Sequence, residues 1–252
     1  MKYNFCHRFY HQSLSLFSTV VKTIARNFKN RKFEPEVEAL KKIVRPGSIC
    51  LDVGGAYGRY ALPLCRLAGQ EGKVFSFEPG RYSRRVLRII KFVHRLNNLS
   101  IQELALSDKN GAIMLCLPVK KTGKIGASLA FVSQTNQEGA VCERVRMTTV
   151  DDFCRENAVG KVGFIKCDTE GHELAVFRGA KDTIKRWHPA ILCEVDRGNM
   201  SRYGYSPDDL EKFFLAFGYK IFTYDGKGAF LPQDKIRQNA NYFFFPADSR
   251  IC

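Results

Sequence analysis

Ionisable side chains crowd one short stretch, Phe164-Ile165-Lys166-Cys167-Asp168-Thr169-Glu170-Gly171-His172-Glu173-Leu174. Carboxylates are electrostatically favoured at a helix N-terminus, and capping alone accounts for Glu170 and Glu173. It does not account for Lys166 and Asp168 at alternate positions of an otherwise apolar strand. A side chain at 168 is expected to point out at the carboxyl end of that strand, where ligands of open α/β sheets bind. Acids and an imidazole gathered there can take a proton from an acceptor, so Asp168, His172 and Glu170 are the candidate catalytic residues. Glu194 ends the next apolar run and either borders the same crevice or partners a buried cation.

A second motif lies upstream, in Asp52-Val53-Gly54-Gly55-Ala56-Tyr57-Gly58, directly after a predicted strand and opening a helix. Glycines there let the backbone turn sharply and approach a ligand. Asp52 can accept hydrogen bonds at the mouth of the turn. Glu78 ends the following strand, in Phe77-Glu78-Pro79, where a carboxylate commonly binds a ribose diol. The G-x-G-x-x-G pattern that a pyrophosphate wants is absent. The D-x-G-x-x-x-G form suits S-adenosylmethionine (SAM), which carries no phosphate and whose cationic groups welcome a carboxylate.

The elements that must position these residues alternate along the chain. Helices are predicted over 35–44, 58–69, 81–97, 172–185 and 207–217, with another opened by Thr149, Asp151 and Asp152. Strands are predicted over 48–53, 73–77, 100–105, 112–117, 141–147, 162–167, 190–195, 219–224 and 242–245. Strands alternating with helices imply an α/β, doubly wound, mainly parallel sheet covered on both faces. The strands at 112–117 and 141–147 suggest an insertion. The Gly- and Lys-rich stretch 118–130 between them is either a surface hairpin or a lid.

Together the motifs resemble the FkbM-type methyltransferases, a branch of the class I SAM-dependent enzymes. The matching segments are Leu51 to Gly58, Val74 to Pro79, Ala105 to Asp108 with Gly111, Ile165 to Leu174 running on to Gly179-Ala180, and Ile191 to Glu194. The resemblance covers about residues 37 to 246, and its family-specific part is the stretch around Lys166, Asp168, Glu170 and Gly171. It implies a Rossmann-like seven-stranded sheet with the last strand antiparallel, and methyl transfer, usually to an oxygen. Carried over by position, Asp52, Gly54 and Gly58 line the methionine end of SAM, Glu78 holds the ribose, and Ser107 and Asp108 flank the adenine. The family commonly has Ala-Asn after the first glycine; Gly55-Ala56 stand here, so an amide near the cofactor is lost.

Composition bounds the rest. In 252 residues, 45% are hydrophobic and 26% charged, which excludes a wholly disordered chain and a disulfide knot. Forty Lys and Arg against 25 Asp and Glu leave a net +15, which favours an acidic partner: nucleic acid, an anionic membrane face or an acidic substrate. Residues 1–33 hold seven Lys/Arg and no acid. They form a basic arm or amphipathic helix before a domain spanning 34–252. The apolar positions 17, 20, 21, 24 and 28 are helically spaced, which fits packing on the domain or peripheral contact with an anionic membrane. A second run, Arg81, Arg84, Arg85, Arg88, Lys91 and Arg95, also lacks acids. No Cys pair is spaced C-x-x-C, and Cys50, Cys167 and Cys193 look like buried hydrophobes of a reduced, cytoplasmic protein. No dense metal-ligand set is visible, so no metal is expected.

The expected activity is O-methylation of a small-molecule, glycan or lipid-linked hydroxyl, the acceptor being acidic or at the inner membrane face. RNA methylation is the alternative suggested by charge, without an aromatic-and-basic RNA motif to support it. A catalytically silent SAM-fold binding protein is the alternative suggested by the altered glycine turn.

Overall fold

The computed structural model describes residues 18–24, 34–119 and 129–249. Most of the basic arm and the middle of the 118–130 stretch lie outside the described residues. Residues 18–24 are helical (α1). Then come α2 (Pro35–Ile43), β1 (Ile49–Val53), α3 (Ala61–Ala68), β2 (Lys73–Phe77), α4 (Arg81–Val93), β3 (Leu99–Gln102) and β4 (Ala105–Leu106). The next strands are β5 (Gly111–Pro118), β6 (Phe131–Ser133) and β7 (Ala140–Thr148), followed by α5 (Val150–Glu156), β8 (Val162–Cys167), α6 (Glu173–Arg178) and α7 (Lys181–Trp187). The chain ends with β9 (Ala190–Val195), α8 (Arg197–Ser201), α9 (Pro207–Ala216), β10 (Tyr219–Tyr224), β11 (Phe230–Gln233) and β12 (Ala240–Pro246).

The main sheet has the order β11-β10-β12-β9-β8-β1-β2-β3. Strands β3, β2, β1, β8 and β9 run parallel, and β12 is antiparallel to both its neighbours. The expected antiparallel last strand is therefore present. The hairpin strand β11 pairs with β10 and makes the sheet eight-stranded. Each central strand feeds two cores by its two-residue period. Leu51 and Val53 pack on one face with Phe153, Phe177 and Phe214, while Cys50 packs on the other with Leu40, Leu62 and Leu64. Phe244 and Phe243 divide in the same way.

The second sheet, β4-β7-β5-β6, is the insertion. Its apolar side, with Leu115, Val132 and Val145, packs against Tyr57, Tyr82 and Tyr203 and so stands beside the end of the main sheet. Cys116 and Cys142 are directly opposed in β5 and β7 and form a disulfide. This corrects the expectation of uniformly reduced cysteines. Cys50, Cys65, Cys154, Cys167 and Cys193 are free and buried, as small apolar side chains would be.

Local chemistry sets most element ends. Thr149 caps α5 by accepting from the Asp152 N–H at 2.9 Å, and Ser206 with Asp209 forms a capping box on α9. The helix expected over 172–185 is two helices. It breaks at Gly179, where a Cβ would lie 2.0 Å from the Ser107 carbonyl oxygen. Helix α3 starts later than its pattern because Gly58, with φ +80°, is still in the turn. Helix α1 packs on α4: Val20 joins Val86 and Ile90, and the Thr19 and Tyr82 hydroxyls lie 2.8 Å apart. Val21, expected on the apolar face, is exposed. No helix among the described residues is long and apolar enough to cross a membrane.

Candidate active site

The ends of β1, β2 and β8 meet around one crevice, with about 670 Å³ of atom-free space open to solvent. Its floor is the glycine turn. The N–H groups of Gly54 and Gly55 both donate to the Phe77 carbonyl, at 3.0 and 3.1 Å, and the Asp168 N–H donates to the Val53 carbonyl at 3.1 Å. These bonds tie the turn between its two neighbouring strands. Gly54 and Ala56 line the crevice, while Gly58 sits behind, its missing Cβ leaving room for Leu87 of α4.

Glu78 lies on the rim, where Oε2 accepts from the Ala56 N–H and Oε1 from the Gly80 N–H, both at 2.8 Å. Each oxygen keeps acceptor capacity for a diol. Burial pushes this carboxyl up to about 8, against the pull of those two N–H groups. Asp52 is buried under the turn, accepts from the Ser76 hydroxyl at 2.8 Å, and is pushed up to about 6 by burial. It is not among the residues that line the crevice. The same Ser76 explains Gly55: a Cβ there would lie 2.0 Å from Ser76 Oγ. Residue 55 has no room for a side chain, because the serine hydroxyl from β2 fills that space.

On the apolar side Phe77, Leu104, Leu106, Leu115 and Val132 form a slot. Ser107 and Asp108 do not line it. Ser107 Oγ instead lies 2.9 Å from His172 Nε2 and 3.3 Å from Asp108 Oδ1. His172 borders the crevice, packs edge-to-face on Tyr203 and leaves its buried Nδ1 without a hydrogen bond. Burial holds its imidazole down at about 4, so it is neutral at physiological pH and a weak base.

The acidic end of the crevice is built on β8 and β9. Lys166 is fully buried, with Nζ 3.4 Å from Asp168 Oδ2, 3.2 Å from the Cys167 carbonyl and 5.0 Å from the Tyr60 ring centre. Burial pulls the ammonium down, but Asp168 and Glu194 more than restore it. Burial likewise pushes the Asp168 carboxyl up, and Lys166 with the Glu194 hydrogen bond outweighs it, holding the group below the usual aspartate value. Glu194 is the protonated partner: its bond to Asp168, then burial, push it up to about 9. The arrangement is a partly exposed carboxylate between a buried ammonium and a neutral carboxylic acid.

Glu170 also faces the crevice, in a left-handed conformation (φ +56°), and accepts from Asn199 Nδ2 at 2.7 Å. Burial, then Asp168 and Glu173, push it up to about 7. Glu173 is structural: its Oε1 accepts from the Thr169 N–H, the Thr169 hydroxyl and the Gly171 N–H, at 2.7, 3.0 and 3.1 Å. That clamps the loop carrying Asp168 and His172. Sequence pattern does not reveal Tyr60 or Glu34: the Tyr60 hydroxyl donates to Glu34 at 2.6 Å, and the Tyr60 ring lies against Lys166. Tyr60 precedes an ordinary apolar helix, and only the β1–β8 pairing brings it over Lys166. Among the described residues no group of three or more His, Cys, Asp or Glu could hold a metal.

Solved structures with this fold include the methyltransferase FkbM of Methylobacillus flagellatus KT, 15% identical with a TM-score of 0.52; the match covers 83% of this chain and 50% of that one. This chain thus spans about half the length of that protein. A SAM-dependent methyltransferase from Aquifex aeolicus is 17% identical over 84% of this chain and 90% of that one, with a TM-score of 0.45. No curated protein matches the chain. Residues 52–221, which hold the glycine turn, Glu78 and the whole Lys166–Glu194 cluster, match the family described as the Methyltransferase FkbM domain. The chain belongs to the FkbM methyltransferase family.

Proposed function

We propose that the protein methylates a hydroxyl oxygen of a small-molecule, glycan or lipid-linked acceptor, with Asp168 receiving the acceptor's proton. The observation that carries this reading is the Asp168 carboxylate, partly exposed at the end of β8, kept ionised by Lys166 at 3.4 Å and facing the same crevice as Glu78.

The crevice fits the cofactor in its donor set and shape. Glu78 keeps acceptor capacity for a ribose diol, and the Phe77–Leu104–Leu106–Leu115 slot suits a flat purine. When bound, SAM supplies a methyl carbon activated by its sulfonium. The chain's own work is to aim the acceptor and accept a proton. A hydroxyl approaching Asp168 donates its hydrogen bond to the free lone pairs of that carboxylate. As the new carbon–oxygen bond forms, the oxygen turns strongly acidic, so even a carboxylate held below its usual pKa takes the proton. Lys166 and the neutral Glu194 fix the carboxylate while this happens. His172, weakly basic and engaged with Ser107, is better suited to shape the wall.

Incubation with methyl-labelled SAM and panels of hydroxylated saccharides, lipids and RNA tests the reading. Label is expected on an oxygen of a saccharide or lipid. Label confined to RNA would replace this reading with nucleic-acid methylation, and failure to bind SAM would make the protein a silent member of its fold.

A further inference from the structure

The outer face of α4 has no role in the crevice, yet its composition is unusual. Residues 81, 85, 88 and 92 are spaced four, three and four apart, which puts them on one stripe of a helix. All are exposed, and the fourth is Phe92, 84% exposed at the end of three arginines. A lone exposed phenylalanine ordinarily needs no explanation. Here Val93, 40% exposed, follows it about a quarter-turn round the helix, toward the side where α1 packs, and Val21 of α1 is 47% exposed. Lys22 and Arg95 are exposed as well. Arg81 pairs with Glu143, and Arg88 with Glu103. Arg85 and Arg95 have no ion-pair partner among the described residues, so the face keeps a positive surplus.

We propose that the α1–α4 face docks on an anionic lipid surface, with Phe92, Val93 and Val21 entering the headgroup boundary and Arg85, Arg95 and Lys22 meeting lipid phosphates. Charge complementarity names the partner: aligned cations around a projecting apolar tip match a negatively charged bilayer. The valines favour lipid over single-stranded nucleic acid, since bases need aromatic platforms to stack on and the exposed face offers Phe92 alone. The segment joined to α1 adds to the attraction, because residues 1–33 carry seven Lys/Arg and no acid.

The full-length chain is sedimented with vesicles of phosphatidylcholine alone and of phosphatidylcholine with about one-third phosphatidylglycerol. Binding to the anionic vesicles only, weakened by salt, is expected. Phe92→Ser and the double substitution Arg85→Glu with Arg95→Glu should each reduce it at least about fivefold. Both change exposed side chains remote from the crevice, so circular dichroism and SAM affinity should match the parent. Equal binding to both vesicle types, or variants that sediment like the parent, would overturn the proposal. So would an RNA oligonucleotide whose binding falls with Phe92→Ser while vesicle binding does not.

Discussion

Gly54 and Asp168 touch through their backbones: a Cβ on Gly54 would lie 1.8 Å from the Asp168 carbonyl oxygen. The cofactor turn thus rests directly on the strand end that carries the acceptor chemistry. Gly54→Ala would combine this clash with a left-handed φ of +78°. Asp168 cannot retreat without breaking its N–H bond to Val53. The variant should lose about 2–4 kcal/mol in chemical denaturation and show no calorimetric SAM binding. Parent-like values in both would mean the two backbones do not meet.

Glu78 should make SAM affinity depend on pH. Its carboxyl, raised by burial from 4.5 to about 8, is largely neutral at neutral pH, while a ribose diol is best held by the carboxylate. Affinity should climb between about pH 6 and about pH 9, with a proton released on binding. The stability of the free protein runs the other way. A raised folded pKa contributes stability that is complete below 4.5 and is lost as pH rises through about 8. Calorimetry in buffers of different ionisation enthalpy measures the released proton. Glu78→Gln should abolish the release and weaken binding by about 1–3 kcal/mol; a pH-independent affinity in the parent would show that Glu78 is already ionised.

The sheet and the two motifs were legible because they rest on local signals: apolar runs bounded by glycine and proline, and acids at strand ends. Lys166 and Asp168 stood out as charges in an apolar strand. The pairing of Asp168 with Glu194 was not legible, because it depends on β8 and β9 being neighbours in the sheet. The same holds for Tyr60 over Lys166, and for Ser107, whose hydroxyl turns to His172. Strand β11 escaped because a four-residue edge strand with a proline carries little pattern.

Asp168 and Glu194 should act as a pair in methyl transfer. Asp168→Asn preserves shape and removes the charge. It is expected to leave SAM affinity near the parent's and to slow transfer roughly 10²–10⁴-fold. Glu194→Gln keeps a hydrogen-bond donor toward Asp168 and should cost far less, whereas Glu194→Ala should approach the Asp168 variant. A His172→Asn protein slowed as much as Asp168→Asn would shift the base to the imidazole. Single-turnover rates at saturating SAM separate these cases.

The Cys116–Cys142 bond should stabilise the insertion and, through it, the crevice wall. It links β5 to β7 across a sequence separation of 26, and its neighbour Leu115 lines the crevice beside Val132 of β6. Closing a loop of that length restricts the unfolded chain by about 3 kcal/mol. The double substitution Cys116→Ser with Cys142→Ser should therefore unfold at lower denaturant, by about 2–4 kcal/mol. It should also bind SAM more weakly, because the apolar slot loses its anchored side. Reductant should reproduce both effects in the parent and do nothing further to the variant, since the other described cysteines are free thiols already. If reductant leaves the parent's stability and SAM affinity unchanged, the two strands hold the wall through their ladder bonds alone.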